Sequence, residues 1–176
     1  MQVNLNPLLI FSGQKKCIYL SDRNSGDILF SFPAHNQTRR PEGNPLVEGS
    51  WGHAPSGFLT LSPPDFISED FRKNFYTSHF GSPYVYPGES YMQEWGEFEF
   101  EEMGRVRFAL GNPEAPEEFG DRAAWNREIL IHGGGTFDKL TKGCIRMENS
   151  DIERLAFFAI HYYRIGYPLT LLLNDN

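Results

Sequence analysis

The chain has 176 residues, a length that suits one domain and is long enough to bury most of its apolar surface without disulfides or metals. Its formal net charge is -7, from 16 Lys and Arg against 23 Asp and Glu, and no basic run exceeds Arg39-Arg40, which argues against nucleic acid as a partner. Aromatic residues at 15% and 12 prolines favour short strands and turns over a helix bundle.

Met1 to Pro7 carries no positive charge, and the apolar run Leu8 to Phe11 is too short for a secretion signal or a membrane span. The expectation is a soluble product made in the cytoplasm without a signal peptide. Cys17-Ile18-Tyr19-Leu20 and Ile28-Leu29-Phe30-Ser31-Phe32 flank the turn-rich Ser21 to Asp27, which predicts a hairpin with a long loop. Pro63 to Gly96 is the least regular part. Ile67, Phe71 and Phe75 are spaced for a short helix, whereas Tyr84, Tyr86, Tyr91 and Trp95 lie among prolines and glycines. This aromatic, proline-rich insertion at about 63–96 reads either as a hydrophobic cluster beneath a long loop or as a lid over a cleft.

Glu97 to Glu101 and Arg105 to Phe108 both alternate. A three-residue loop with Gly104 left-handed pairs Phe100 with Val106 and Phe98 with Phe108 inside, and sets Glu101 with Arg105 and Glu99 with Arg107 on a solvated face. Ile129-Leu130-Ile131 reads as a buried strand that delivers His132 to three consecutive glycines starting at Gly133. From Lys142 to Met147 an extended chain would put Lys142, Cys144 and Arg146 on one face and Gly143, Ile145 and Met147 on the other. One long helix is predicted, from Asp151 to about Arg164, with a capping box of Ser150 and Glu153 and an apolar stripe of Leu155, Phe158, Ala159 and Tyr162. No repeat or linker divides the chain, so residues 1–176 read as a single domain.

The chemistry concentrates at His132 and Cys144, twelve positions apart. A thiol beside two cations favours its thiolate, and a nearby imidazole can take the proton. Cys17, between apolar strand residues, reads as a packed core thiol. A Cys17–Cys144 disulfide would consume the nucleophile. Metal binding by His132 and Cys144 lacks a further His or Cys pair at ligand spacing, so neither metal nor other cofactor is expected. His161 falls on the helix, His53 is placed to border a cleft, and His35 and His79 carry no pattern.

Ile131-His132-Gly133 followed by Thr141-Lys142-Gly143-Cys144-Ile145-Arg146 resembles the signature of the L,D-transpeptidase catalytic domain. Trp51 to Phe58 looks like that family's Thr-Pro-x-Gly-x-Phe segment, and Gly166-Tyr167-Pro168-Leu169-Thr170 looks like its closing strand. Asn149, Asp151 and Leu155 continue the likeness. Two departures stand out: Lys142 occupies the position of a second histidine, and the histidine-to-cysteine interval is short. Both are similar to a divergent branch of L,D-transpeptidase-like antibacterial effectors of type VI secretion systems.

The resemblance implies a mainly β fold, an L,D-transpeptidase-like sandwich or barrel with one helix after the cysteine. It implies an enzyme that attacks the tetrapeptide stems of peptidoglycan through a thioester, giving L,D-carboxypeptidase, exchange or crosslinking products. Cys144 is then the nucleophile, His132 the base and the amides around Gly143 the oxyanion donors, while Arg146, Lys142, Thr141, Gly133 and His53 border the substrate. A secreted effector would have an immunity protein and a secretion apparatus as partners and would act in a target cell's periplasm; an enzyme recycling muropeptides would act in the cytoplasm. The competing functions are an inactive cell-wall-peptide or protein-binding module of the same fold and a cysteine endopeptidase.

Overall fold

The computed structural model describes residues 5–37, 56–82, 103–111, 129–141 and 143–174. The first apolar run forms β1 (Pro7–Ser12), with Leu9 and Phe11 fully buried, and pairs antiparallel with β2 (Cys17–Asp22). β2 pairs antiparallel with β3 (Ile28–His35), the expected hairpin, with a bulge between Leu20 and Ser21. Asp22 organises the connecting turn. Its carboxylate accepts from the N–H groups of Asn6 at 2.9 Å and Asn24 at 3.2 Å, and from the Ser25 hydroxyl at 3.2 Å.

After β4 (Gly57–Leu61) and the short β5 (Asp65–Phe66) comes α1 (Glu69–Phe80), a 12-residue helix where the sequence suggested at most a short one. Both ends are capped. The Ser68 hydroxyl accepts from Phe71 N–H at 3.0 Å, Glu69 and Asp70 fill the first turn, and Gly81 ends the helix left-handed at φ 74°. Phe75 and Tyr76 are buried against Phe66, and the Arg164 guanidinium lies over the rings of Tyr76 and Phe80. The first part of the 63–96 insertion is therefore packed framework rather than lid; residues 83–96 lie outside the described residues.

β6 (Val106–Gly111) follows Gly104, which is left-handed at φ 73°, but Met103 before it is helical. Both edges of β6 are taken, by β5 and β4 on one side and by Leu130 to His132 on the other, so β6 has no edge left for the expected hairpin. The partner strand expected at Glu97 to Glu101 lies outside the described residues. β7 (Leu130–His132) and β8 (Ile145–Met147) lead into α2 (Asn149–Arg164), and β9 (Thr170–Leu173) closes the order. Among the described residues the strands run β4-β9-β1-β2-β3-β8-β7-β6-β5. β4 also pairs with β6 at Thr60↔Gly111 and Leu61↔Leu110, so eight strands close into a barrel and β5 extends the far end of β6. Two neighbouring pairs, β1 with β9 and β7 with β8, are parallel.

The expected capping box on the second helix is not formed. β8 ends at Met147, leaving only Glu148 to turn the chain, so the helix starts at Asn149 with Ser150 already in its first turn. Glu148 is the N-cap and makes no side-chain cap bond, and Glu153 instead pairs with Arg105 at 2.7 Å. The apolar stripe buries Ile152, Leu155, Ala156, Ala159, Ile160 and Tyr162. Each large side chain there stabilises the fold by roughly 1.5–3 kcal/mol relative to exposure. Phe158 is only half-buried and packs against Phe30, with ring centroids 4.3 Å apart and planes tilted by 36°. Gly166, at φ 87°, begins a turn, so the closing strand starts at Thr170 rather than at Gly166.

Candidate active site

A row of polar side chains crosses the barrel wall. The register places Asp65 of β5 beside Arg107 of β6, Arg107 beside His132 of β7, His132 beside Arg146 of β8, and Arg146 beside His35 of β3. Laterally paired residues project from one face of a sheet, so these five share a face. The adjoining positions Phe66, Val106, Phe108, Ile131, Ile145, Met147 and Ala34 are buried in the core. His35, His132 and Arg146 are themselves only 2–3% exposed, so the sheet is covered on both sides here.

That double burial overturns the solvated face expected for Arg107, which is buried and meets Asp65 at 3.2 Å. It also gives His35 a place that its sequence context did not suggest. Removing either partner would leave the other charge uncompensated in a largely covered setting, so the Arg107–Asp65 pair acts as a unit.

His132 ends β7, where Gly133 and Gly134 let the chain turn beneath it. Its Nδ1 lies 2.7 Å from the Gly133 carbonyl. A carbonyl only accepts, so this contact puts the proton of the neutral ring on Nδ1 and makes Nε2 its basic nitrogen. The same carbonyl accepts from Arg146 Nη1 at 3.4 Å, and that nitrogen also bonds the Gly134 carbonyl. Gly134 N–H donates to Asn149 Oδ1 at 3.0 Å, and Gly133 N–H to the Met103 carbonyl at 3.2 Å. A Cβ on Gly133 would stand 2.2 Å from Asn149 Oδ1, which is why glycine is needed there.

Cys144 is half-buried immediately before β8. The parallel register Ile131↔Ile145 and His132↔Arg146 sets it diagonally from His132 across the β7–β8 pair. The expected alternation starts only at Ile145. Gly143 has φ 124°, so the chain turns there and does not carry an extended face back to residue 142; Lys142 lies outside the described residues, as does His53.

Other expected roles move inward. Thr141 is buried, and its Oγ1 accepts from Gly143 N–H at 3.2 Å while its own N–H donates to the Gln37 carbonyl at 2.7 Å. The Gly143 amide expected to face an oxyanion is thus already bonded. Arg146, expected either to hold a substrate carboxylate or to order the loop, is buried and bonded to the two glycine carbonyls, so it orders the loop at His132. Gly133 is likewise buried. Cys17 is half-buried rather than packed in the core, with its sulfur 2.9 Å from the Ser31 hydroxyl, and both cysteines are free thiols. His79 and His161 lie on exposed helix positions against Phe157. Among the described residues no group of three or more His, Cys, Asp or Glu is placed to hold a metal ion, and no helix is long and apolar enough to cross a membrane.

The fold is the mainly β barrel type that the sequence led us to expect. It is similar to Bd1075 of Bdellovibrio bacteriovorus, with a TM-score of 0.55 at 15% identity over 100% of this chain and 50% of that one. It is similar as well to the helical cell shape determining protein Pgp2 of Campylobacter jejuni, with a TM-score of 0.51 at 15% identity over 99% of this chain and 49% of that one. The chain therefore spans about half the length of each of these two structures. A looser likeness, at a TM-score of 0.42 and 9% identity over 99% of this chain and 63% of the other, is to an L,D-transpeptidase of Xylanimonas cellulosilytica. No protein-family model matches the sequence, and no curated protein matches it.

Proposed function

We propose that the chain is a cysteine-dependent peptidoglycan L,D-transpeptidase or L,D-carboxypeptidase that acts on tetrapeptide stems. The observation that carries this reading is the contact of His132 Nδ1 with the Gly133 carbonyl, which makes Nε2 the basic nitrogen of the neutral ring, on the strand that pairs with the one following Cys144. The Ile-His-Gly and Thr-x-Gly-Cys-Ile-Arg signature supports it from the sequence. The fold's likeness to a cell shape determining protein accords with a cell-wall substrate.

In this mechanism His132 Nε2 takes the Cys144 proton, since a free thiol of pKa about 8.5 is only a few per cent thiolate at neutral pH. The buried Arg146 guanidinium places positive charge beside the forming anion. The thiolate attacks the carbonyl of the third stem residue, the bond to the terminal D-alanine breaks, and His132 returns the proton to the leaving amine. The thioester then passes to water, a D-amino acid or a second stem, with His132 deprotonating the acceptor and Cys144 regaining a proton. Backbone amides at Gly143 and Cys144 steady the oxyanion, Gly143 by exchanging its bond to Thr141 for one to substrate. The twelve-residue step from His132 to Cys144 supports use of this chemistry by an antibacterial effector paired with an immunity protein.

Mass spectrometry of muropeptides after incubation tests the reaction. Wild type should release D-alanine from tetrapeptides; Cys144→Ala and His132→Ala should each lose about 10²-fold or more, and Cys17→Ala little. Near-wild-type turnover in either motif variant removes the mechanism. Acylation of Cys144 by a carbapenem separates the enzyme from a binding module of the same fold.

A further inference from the structure

A continuous set of bonds runs from His35 to the residue before the candidate nucleophile. His35 Nδ1 accepts from Gln37 N–H at 3.2 Å. The Gln37 carbonyl accepts from Thr141 N–H at 2.7 Å and from the Thr141 hydroxyl at 3.4 Å, and that hydroxyl accepts from Gly143 N–H at 3.2 Å. The opposite ring nitrogen, Nε2, bonds the carbonyl of Phe137, halfway along the segment between His132 and Cys144, and the Phe137 ring meets the imidazole edge-on. Arg146, the lateral neighbour of His35, bonds the first two carbonyls of the same segment.

We propose that His35 is a positioning residue for the nucleophile, its neutral imidazole holding both the middle and the cysteine end of the strap that joins His132 to Cys144. The proposal rests on the reading of Cys144 as nucleophile. Two partners define the required state: an N–H facing Nδ1 demands a lone pair there, and a carbonyl facing Nε2 demands a proton. A second proton on Nδ1 would point at Gln37 N–H and end the bond from which Thr141 and Gly143 hang. The groups around the ring agree with a neutral state. Burial holds its pKa below the ordinary histidine value, and the cations Arg146 and Lys16 act in the same direction, against the Phe137 carbonyl and Asp138. His132, the next imidazole along the wall, sits beyond Arg146.

Isosteres separate the two bonds. His35→Asn keeps an acceptor at the δ position, whereas His35→Gln keeps only a donor at the ε position. In a Cys17→Ser background, iodoacetamide should alkylate Cys144 of His35→Asn within about twofold of the parent rate and that of His35→Gln about tenfold more slowly. Turnover should follow with kcat reduced and KM little changed. Wild type supplies a second measurement that no folding defect can spoil. On acidification, ¹⁵N NMR should show the His35 ring leaving its Nε2–H tautomer with the same midpoint at which the Gln37, Thr141 and Gly143 amides shift. Unaltered alkylation in His35→Gln, or a His35 titration that leaves those amides still, overturns the strap. Slowed alkylation in His35→Gln with a wild type that never releases D-alanine supports the strap and sinks the transpeptidase reading instead.

Discussion

Gly133 and Asn149 meet so closely that each dictates the other. Gly133 lies outside the left-handed region, and the atom a Cβ would strike at 2.2 Å is the Asn149 side-chain oxygen. Gly133→Ala should therefore cost about 1–3 kcal/mol by overpacking, and Asn149→Ala in the same chain should recover much of it, a coupling that a double-mutant cycle in urea reads directly. Gly104 offers a contrast. It needs φ 73° and a Cβ there would also meet backbone at Gly134 N, 2.8 Å away, so Gly104→Ala should not be rescued by Asn149→Ala.

Protonation enters at the same scale. His35 has a lowered folded pKa, so on acidification the unfolded chain takes up its proton first. Its contribution to stability is complete above about 6.5 and is lost as the pH falls from there toward the lowered folded value. Urea midpoints measured across that window should fall with pH in wild type and less steeply in His35→Asn. Asp22 acts lower down. The Asn6 N–H bond leads the effects that depress its pKa below 3.8, so its contribution is present above that value and disappears as the pH drops through the depressed one.

His132 and Cys144 could be read from the sequence because their neighbours, an apolar strand and flanking glycines, are local. His35 could not. Its role comes from the β3–β8 pairing and from Phe137, neither of which any spacing around residue 35 reveals. Arg107 was open to misreading because alternation distinguishes two faces without saying that both are covered.

Among the elements, α2 begins with a vacancy in its capping. Glu148 has the extended backbone of an N-cap, φ -67° and ψ 147°, but offers no side-chain bond to the first turn. Glu148→Ser should add one and raise stability by about 0.5–1 kcal/mol, seen as a higher Tm with unchanged turnover. An unchanged Tm would show that the exposed N–H groups there gain nothing over water. The β2–β3 hairpin and β7 were legible because period-two patterns and apolar runs report strands directly. α1 was harder, since its buried side is thin and mostly aromatic; its clearest marks are Ser68 and Gly81 at its two ends, with the twelve helical residues between them. The start of α2 was displaced because the pattern Ser150 to Glu153 imitates a capping box that the short β8 leaves no room to form.

For the whole molecule, the cellular setting decides what effect the proposed chemistry has. An effector of this type should harm a Gram-negative host when sent to the periplasm behind a fused secretory signal, and Cys144→Ala should make it harmless. Healthy growth with soluble, active wild type in the periplasm would favour cytoplasmic recycling of muropeptides.

The barrel also imposes an order in time. β1 has β2 on one edge and β9 on the other, and β3 must wait for β8, so a chain emerging from the ribosome holds its earliest strands with open edges until its last ones arrive. Loop closure over such distances is slow, and unpaired edges invite pairing with other chains. Gln37, emerging early, is what the cysteine turn later fastens to. The support for the Cys144 turn is therefore laid down before the turn itself, which can dock only after β8 has reached β3.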